Sequence, residues 1–393
     1  MNEYKLSDIL YERKIYATKN DIYPHVTLAK DGIYDKTNRF DRDFLVKDKD
    51  KKYKITKKND ICYNPANLKF GVICLNTYGN AIFSPIYITL ELKKSVINKV
   101  DIKYLAYILT SNNFIEKARR YEQGTVYERM AVGVDDFLKM NIILPDILKQ
   151  KNIVKKIENI EKIIKAKKQI IKNKELEKKY YMEVIFQNKK KNLIFEYVKL
   201  GNLLEFQNGI NEDAEKYGRG IKYISVMDIL NNTYITYENI KGLIDVEKNI
   251  KDKYKVSYGD ILFVRSSENL IDAGKSNVYL DEEKDAVFGG FVIRGKKKEN
   301  YNPIYLKYAL ESYNVRKQLM KYAAGNQHVN IGQESLKKIN IPYLNKEKQD
   351  MIAKIFSNFD NEIEIILREI FEYEKLKKGV MQKLLTGKVK LNV

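Results

Sequence analysis

The chain has 393 residues, of which 44% are hydrophobic and 32% charged, and its formal net charge is +20. It contains no 18-residue apolar run and no apolar signal core near residue 1, which argues against a membrane-spanning or secreted protein and predicts a cytoplasmic one. Its two cysteines, Cys62 and Cys74, lack metal-ligand spacing and predict buried free thiols. The large positive charge favours a polyanionic partner.

Residues 1–145 are predicted to form a globular α/β domain. Strand-like runs lie at residues 23–28, 60–63, 72–75 and 82–90, and helical segments at 102–110 and 112–121. Leu144-Pro145 ends the domain, because the residue before a proline avoids helical backbone angles.

Residues 146–192 are predicted to form a long central helix that ends near Phe186. Fifteen lysines and five acidic residues lie between residues 149 and 191, so much of the excess positive charge belongs to this helix. A second α/β domain follows at residues 193–342. Its predicted strands lie at 222–226, 260–264, 277–280 and 287–294, and its predicted helices at 304–312 and 315–322.

Residues 343–393 contain a second long helix, marked by an apolar seam with a 3.5-residue repeat. The seam positions are Ile352, Phe356, Phe359, Ile363, Ile366, Ile370, Tyr373, Lys377, Val380 and Leu384. Subtracting 199 gives the same seam in the central helix, at Ile153, Ile157, Ile160, Ile164, Lys167, Ile171, Lys174, Lys178, Tyr181 and Ile185. A repeat held this long predicts that the two helices pair.

Charge predicts that the helices pair antiparallel. From residue 346 to residue 378 the second helix carries seven basic and eight acidic residues, unlike the lysine-rich central helix. With Ile153 beside Leu384, its acidic residues fall opposite lysines of the central helix. Asp360, Glu362 and Glu364 then face Lys172, Lys174, Lys178 and Lys179. Glu369, Glu372 and Glu374 face Lys162, Lys165, Lys167 and Lys168.

The duplication also includes the globular domains. Residues 4–10 correspond to 198–204, 59–63 to 259–263, 104–109 to 305–310, Gly124 to Gly325, and 144–145 to 341–342. Five ordered matches that end in matched heptads indicate a tandem repeat. The predicted fold class is therefore α+β. Two tandem α/β domains are separated by two long antiparallel coiled-coil helices with an internal pseudo-two-fold repeat.

Catalytic motifs are not evident in the sequence. All six prolines are isolated, so there is no Asn/Asp-Pro-Pro-aromatic loop of the kind that holds a target amine, and no glycine-rich loop follows a strand. Residues 269–276 end like a phosphate-binding loop, but Asn269 occupies the position of its first glycine. His25 and His328 cannot build the usual zinc or histidine-metal nuclease sites. These features predict a non-catalytic chain without a metal site.

The loops between matched core segments are the candidate DNA-reading elements, because they differ while the scaffold repeats. Arg commonly reads guanine, and Asn or Gln adenine. The predicted DNA-binding residues are Asn64, Asn67, Lys69, Tyr127, Arg129, Arg265, Ser266, Asn269, Lys275, Asn277, Asn326, Gln327, His328 and Asn330. For each one taken singly, an ordinary surface-loop role is the competing interpretation.

Residues 377–388, together with 198–201, 259–263 and the Ile-x-Ile-Pro exit at 339–342, carry a family resemblance. The whole chain resembles the specificity subunits of type I restriction–modification enzymes. The first half is the weaker match, because Lys178-Lys179-Tyr180-Tyr181-Met182 lacks the glycine and the Leu-Leu-Thr-Gly ending.

The resemblance implies two target recognition domains, residues 1–145 and 193–342, each of which reads half of a bipartite double-stranded DNA sequence. The helices, residues 146–192 and 343–393, would set the spacing and dock two methyltransferase subunits. Those subunits would bind S-adenosylmethionine and methylate adenine N6, and a restriction subunit using ATP and Mg would join them. The chain itself would bind no cofactor.

Three other interpretations remain open at this point. A coiled-coil adaptor or structural protein explains the heptads but leaves the duplicated domains and their unlike loops unexplained. A free-standing DNA-binding regulator would bind its target tightly without a methyltransferase. A type II system with a separate specificity chain would have the same sequence features.

Overall fold

The computed structural model describes residues 2–18, 22–36, 52–123, 130–187, 193–325 and 328–385. Contacts divide the chain into two compact units. The first unit is Met1–Ala166 with Ile370–Val393, and the second is Lys167–Glu369. The division falls within both long helices. Each half of a helix therefore belongs with a globular part, whereas the sequence-based boundaries set the helices apart as separate segments.

The first unit contains a four-stranded antiparallel sheet in the order β2-β10-β7-β8, a three-stranded sheet β3-β6-β9, and the pairs β1-β11 and β4-β5. Its elements are β1 (Asn2–Lys5), α1 (Leu6–Ile9), β2 (Leu10–Glu12), β3 (Tyr16–Thr18), β4 (Val26–Ala29), β5 (Gly32–Asp35), β6 (Lys52–Thr56), β7 (Ile61–Tyr63), β8 (Ile73–Leu75), β9 (Ala81–Phe83), β10 (Ile88–Leu92), α2 (Ile102–Leu109), α3 (Asn112–Arg119), α4 (Val134–Leu138), β11 (Asn141–Leu144) and the start of α5 (Ile147–Phe186).

The second unit has a four-stranded sheet β13-β20-β16-β18, a three-stranded sheet β15-β14-β19, and the pairs β12-β22 and β17-β21. Its elements are β12 (Glu196–Lys199), α6 (Leu200–Leu203), β13 (Leu204–Asn208), β14 (Tyr217–Ile224), α7 (Val226–Asn231), β15 (Gly242–Ile244), α8 (Lys248–Tyr254), β16 (Ile261–Val264), β17 (Ser266–Ser267), β18 (Ser276–Val278), β19 (Val287–Phe288), β20 (Val292–Lys297), α9 (Pro303–Glu311), α10 (Tyr313–Tyr322), β21 (Val329–Asn330), α11 (Gln333–Lys337), β22 (Asn340–Tyr343) and α12 (Lys346–Leu385).

The predicted internal repeat is confirmed in the topology. The pair β1-β11 corresponds to β12-β22, and the sheet β2-β10-β7-β8 corresponds to β13-β20-β16-β18. At the start of each central strand a turn places one residue in the left-handed region, Asn59 at φ 72° and Gly259 at φ 85°. The next residue is a buried aspartate that accepts from a backbone N–H three residues earlier, Asp60 from Lys57 at 2.7 Å and Asp260 from Ser257 at 3.0 Å.

Two of the predicted strands are wrong in the same way. Each was predicted as one continuous strand, and in the structure each forms two separate strands. The run at 82–90 forms β9 and β10, separated by Pro85, which has no N–H to donate to a ladder. The run at 287–294 forms β19 and β20, separated by Gly289, Gly290 and Phe291. A Cβ on Gly290 would lie 1.7 Å from Asn211 Oδ1, so the close approach of that loop requires glycine.

The long helices have the predicted seam. On both α5 and α12, every seam position is buried or half-buried except Tyr181, which is 38% exposed. The seam contributes directly to the cores of the globular parts. Ile153 and Ile157 belong to the first unit's core, and Phe186 stacks on Phe356 in the second unit's core with ring centroids 6.1 Å apart. Helix pairing and domain packing therefore bury the same side chains.

Ion pairs confirm the antiparallel orientation in the second unit. In the second unit Lys167 pairs with Glu369 at 2.6 Å, Lys178 with Asp360 at 2.5 Å, and Lys174 with Glu362. In the first unit Lys377 of α12 pairs with Glu161 of α5 at 2.6 Å. Along the three pairs of the second unit the residue number rises on one helix as it falls on the other, as antiparallel packing requires.

A buried glutamine near the start of each long helix satisfies backbone groups of the globular part. Gln150 donates to the carbonyls of Lys99 and Pro145 and accepts from the N–H of Asp101. Gln349, 199 residues later, donates to Leu344 O and accepts from Asn302 N–H, each at 2.8 Å. Both side chains are fully buried. Each helix start is thus fixed to the loop before α2 or α9.

Candidate nucleic-acid interface

Two loops predicted to read DNA meet on the surface of the second unit. The strand β17 follows Arg265 directly and pairs antiparallel with β21, which places Ser266 opposite Asn330 and Ser267 opposite Val329. The Ser266 hydroxyl donates to the Asn330 side-chain oxygen, and the backbone N–H of Ile331 donates to Arg265 O at 3.0 Å. Polar side chains separated by more than 60 residues of sequence thereby share one surface.

Arg265 is held beside a third loop, the one that separates β19 from β20. Its Nη1 donates to Gly290 O at 3.2 Å, and its backbone N–H donates to Phe291 O at 2.9 Å. Phe291 is 66% exposed. An aromatic face next to a guanidinium is a combination that binds nucleic acid by stacking and by hydrogen bonding.

The loop between β17 and β18 is ordered by its own hydrogen bonds. Asp272 accepts from Asn269 Nδ2 at 2.8 Å and from Lys275 Nζ at 2.6 Å, and these bonds lower the pKa of its carboxyl. Arg316 on α10 donates to the carbonyls of Ile271 and Ala273 from the other side. The loop is therefore fixed to the helical layer of the unit.

The first unit repeats this frame with different side chains. Val132 N–H donates to Pro65 O at 3.2 Å, as Ile331 N–H donates to Arg265 O. Arg119 on α3 donates to Lys69 O at 3.2 Å, as Arg316 donates to its loop carbonyls. In place of β17, however, the chain forms a 3-10 helix over Pro65–Phe70. The same backbone frame thus presents different chemistry in the two units.

A family model matches residues 192–373, and its description is type I restriction modification DNA specificity domain. Over these residues the chain is similar to the type I restriction–modification specificity subunits. The matched segment includes the second globular part and most of α12. It contains residues 198–201, 259–263 and 339–342, which carried part of the resemblance in the sequence, and it ends before residues 377–388.

Two specificity subunits of Methanocaldococcus jannaschii are similar in sequence. The MjaVIII specificity subunit is 27% identical over 361 residues, which is 86% of this chain and 80% of that subunit. The putative MjaX specificity subunit is 31% identical over 199 residues, which is 49% of this chain and 45% of that protein. The match to MjaX therefore spans less than half of its length.

Solved structures of type I specificity subunits and assemblies have the same fold over nearly the whole chain. The type I restriction–modification S subunit from M. genitalium gives a TM-score of 0.57 at 14% identity, covering 98% of this chain and 95% of that one. A chain from a study of complex assembly and conformational transition in a type I system gives 0.60 at 15% identity, covering 98% and 97%. At these identities the likeness concerns the fold.

Two residues predicted to contact DNA have structural roles instead. Asn277 is 1% exposed in the middle of β18, and its amide donates to Ile229 O and Asn232 O. Asn64 is 9% exposed and accepts from Ala66 N–H, which caps the 3-10 helix. Both side chains are buried in the fold, so neither is retained as a candidate reader of bases.

The other predicted residues differ in their placement. Arg265, Ser266, His328 and Asn330 lie together, with His328 and Asn330 exposed. Asn269 and Lys275 both bind Asp272, and Lys69 pairs with Glu122 at 3.6 Å. The remaining member of the first unit's set, Asn67, is half-buried on the 3-10 helix. Four predicted residues lie outside the described ranges: Tyr127, Arg129, Asn326 and Gln327.

Sequence reasoning missed Phe291, Arg119 and Arg316. Phe291 follows two glycines inside a run that was predicted to be one continuous strand, so its exposure was hidden by that prediction. The two arginines lie in helices outside the loops, and only the repeated frame identifies them as loop-holding residues. The two arginines do not occupy matching positions, because Arg119 aligns with Met320 and Arg316 with Ile115, so the repeat in the sequence does not single them out.

No metal-binding group is evident in the described ranges, where three or more His, Cys, Asp or Glu side chains do not come together in a suitable arrangement. None of the helices in those ranges combines the length and apolar character that a membrane crossing requires.

Proposed function

We propose that each unit reads one half of a bipartite double-stranded DNA target, so that the chain supplies sequence specificity to a type I restriction–modification complex. The observation that carries this proposal is the repeated frame with unlike loops. A duplicated scaffold that differs mainly where polar side chains reach the surface suits the reading of two different half-sites.

The chemistry of the second unit's surface supports base reading. The surface combines a guanidinium, an amide, a hydroxyl and an exposed aromatic ring, contributed by Arg265, Asn330, Ser266 and Phe291. Arg suits the major-groove edge of guanine, and Asn that of adenine. The net charge of +20 supplies attraction to phosphates that does not depend on sequence.

We further propose that the long helices set the spacing between half-sites and dock two methyltransferase subunits. Large apolar side chains are exposed on both helices, which is typical of a surface that a partner covers. They include Leu148, Ile163, Ile170, Leu176 and Tyr180 on α5, and Met351, Ile355, Ile365, Leu367, Phe371 and Leu376 on α12. The internal repeat supports two copies of that partner.

The chemical steps are assigned to those partners. Methyltransferase subunits would bind S-adenosylmethionine and methylate adenine N6, and a restriction subunit would use ATP and Mg. The role of this chain is to position them, so replacing its recognition loops is expected to change which sequence is methylated and to leave the reaction itself unchanged.

The test is the adenine methylation pattern of the native host with the gene intact, deleted, and restored on a plasmid. We expect one two-part motif to disappear on deletion and to return on restoration, with every other motif unchanged. An unchanged pattern, together with failure of the chain to co-purify with a methyltransferase, would contradict the proposal and favour a coiled-coil adaptor. Tight binding of a single site by the isolated chain, with an unchanged pattern, would favour a free-standing regulator.

A further inference from the structure

A buried carboxylate in the second unit joins both long helices to the globular part. Asp360 on α12 is paired with Lys178 on α5 at 2.5 Å. Its Oδ2 also accepts from the hydroxyls of Tyr234, in the loop after α7, and of Tyr308, on α9. The Asp360 side chain is only 4% exposed. The Asp360 carboxylate on α12 therefore accepts from three other parts of the chain: α5, the loop after α7, and α9.

Aromatic side chains pack around this carboxylate. Tyr308 is fully buried and stacks on Phe356 with ring centroids 4.4 Å apart, and Lys178 Nζ lies 4.7 Å from the Tyr308 ring centroid. Burial and the nearby Tyr234 and Asp360 raise the pKa of Tyr308, so its hydroxyl remains a donor. The cluster therefore encloses the Asp360 carboxylate together with the donors that satisfy its oxygens.

The same arrangement occurs in the first unit, 199 residues away in both helices. Glu161 on α5 corresponds to Asp360, Lys377 on α12 to Lys178, and Tyr107 on α2 to Tyr308. Tyr107 donates to Glu161 Oε2 at 2.9 Å, and Lys377 Nζ lies 2.6 Å from Glu161 Oε1. Here Glu161 is 37% exposed, so the second unit has the more enclosed version of the cluster.

The apolar seam fixes the register of the helices only weakly. Isoleucine occupies the seam positions 153, 157, 160, 164, 171 and 185 on α5, and 352, 363, 366 and 370 on α12. A shift along the axis would bring isoleucine to isoleucine again. A buried charge behaves differently, because it is satisfied in one register only and is left unpaired in every other.

We propose that these two clusters, Lys178–Tyr234–Tyr308–Asp360 and Tyr107–Glu161–Lys377, fix the register of the helix pair against each recognition domain and thereby determine the spacer length that the complex accepts. The inference rests on the proposed function, in which the helices set the distance between half-sites. The cluster residues are positioning residues. They act on specificity through the helices and make no contact with DNA.

The test uses the full chain in its native host, with Asp360→Asn and Tyr234→Phe introduced separately at the chromosomal gene. Methylation is then measured at genomic sites that carry the native half-sites with the native spacer or with a spacer one base pair shorter or longer. We expect the ratio of altered-spacer to native-spacer methylation to rise about tenfold in both variants, because specificity is a ratio of affinities and a lost buried polar contact is of that order. A loss of stability alone lowers methylation at all spacers together and leaves this ratio unchanged.

The matched control is Glu362→Gln. Glu362 lies on α12, two positions from Asp360. Glu362 also pairs across the helices, with Lys174, but it is 52% exposed, so its loss is expected to leave the spacer ratio at the wild-type value. An unchanged ratio in Tyr234→Phe, the milder of the two cluster variants, would overturn the inference even if Asp360→Asn fails to fold. Absence of any two-part motif in the wild type would instead contradict the proposed function itself.

Discussion

One nitrogen of the Arg265 guanidinium is held by a hydrogen bond within the protein. Its Nη1 donates to Gly290 O, and within the described residues no second hydrogen bond involves its guanidinium. An arginine anchored in this way keeps a defined orientation while the rest of its fork stays available to a ligand, which lowers the entropy lost on binding. Asn330 and Ser266 lie beside it and add an amide and a hydroxyl.

Replacing Arg265 with alanine is therefore expected to weaken recognition of one half-site. One good bidentate contact is worth about 1–3 kcal/mol of discrimination, so methylation at native sites should fall about 5- to 150-fold. Recognition at one base pair of that half-site should also relax. The measurement is the methylation motif of a host that expresses the variant.

Lys248→Ala is the control for this substitution, since it removes one positive charge from an exposed residue of the same unit. We expect it to leave the motif unchanged and to reduce binding only slightly, through lost attraction to phosphates. An equal loss of methylation at native sites in both variants would mean that Arg265 contributes positive charge and does not read a base.

The two thiols offer a second test at the residue scale. Cys62 is fully buried and Cys74 is 8% exposed, which confirms the prediction of buried free cysteines. Burial raises the pKa of Cys74 to about 12, and it raises that of Cys62 further. Because the thiolate is the reactive form, both should resist a thiol-specific disulfide reagent at pH 8.

Unfolding in guanidinium provides the comparison, because the thiol pKa then returns to about 8.5. Reagent absorbance should report two reactive thiols per chain at once under those conditions, and almost none in the native protein. Rapid reaction of one thiol in the native state would mean that the strand pair β7-β8 opens at low cost.

Individual polar residues were the least predictable part of the molecule. Asn277 and Asn330 both follow a loop of the second globular part, yet the first is enclosed by α7 and the second is exposed. The difference comes from residues 229–232, which supply the carbonyls that bind Asn277. No local feature of either segment contains that information, because it depends on tertiary packing.

At the scale of elements, the buried glutamines Gln150 and Gln349 attach the start of each long helix to its globular part. Replacing Gln349 with alanine leaves the carbonyl of Leu344 and the N–H of Asn302 without their partner. Each buried group left unsatisfied costs about 1–3 kcal/mol, so the second unit should lose about 2–6 kcal/mol of stability. Thermal unfolding followed by circular dichroism should show a lower midpoint.

Gln169→Ala on α5 is the matched substitution, since Gln169 is exposed and bonds only with Asn173 of the same helix among the described contacts. It should leave the midpoint almost unchanged. If Gln349→Ala behaves in the same way, solvent must reach the helix start and replace the lost hydrogen bonds.

The long helices and the helical layers were predictable because their signals are periodic or local. A 3.5-residue seam is a property of the sequence itself, and complementary charge was enough to select the antiparallel orientation. The short strands were not predictable in the same way. The ladder β17-β21 has two residues in each strand, and it exists because distant segments are brought together by the rest of the unit. The meeting of the two recognition loops depends on that ladder.

For the molecule as a whole, the spacing role of the helices leads to a quantitative expectation. Inserting seven residues after Lys168 and another seven after Arg368 keeps the 3.5-residue seam on both helices. The inserted segment lengthens each helix by about 10 Å. At about 3.4 Å per base pair, the methylated motif should acquire a spacer about three base pairs longer.

Sequencing of methylated sites measures that spacer directly. Insertion into one helix only should abolish methylation, because it places the ion pairs on one side of the insertion out of register. A double insertion that methylates the original motif would contradict the spacing role and leave the recognition role of the loops in place.

The unequal charge of the two long helices has a consequence for how the chain is made. About 160 residues separate the end of α5 at Phe186 from the start of α12 at Lys346. At about 5–20 residues per second, the central helix is fully translated about 8–30 s before translation of its partner begins. During that interval its apolar seam is uncovered, but a second copy of the same helix would bring lysine against lysine. The lysines that later meet the acidic residues of α12 therefore disfavour association between sister chains on one polysome.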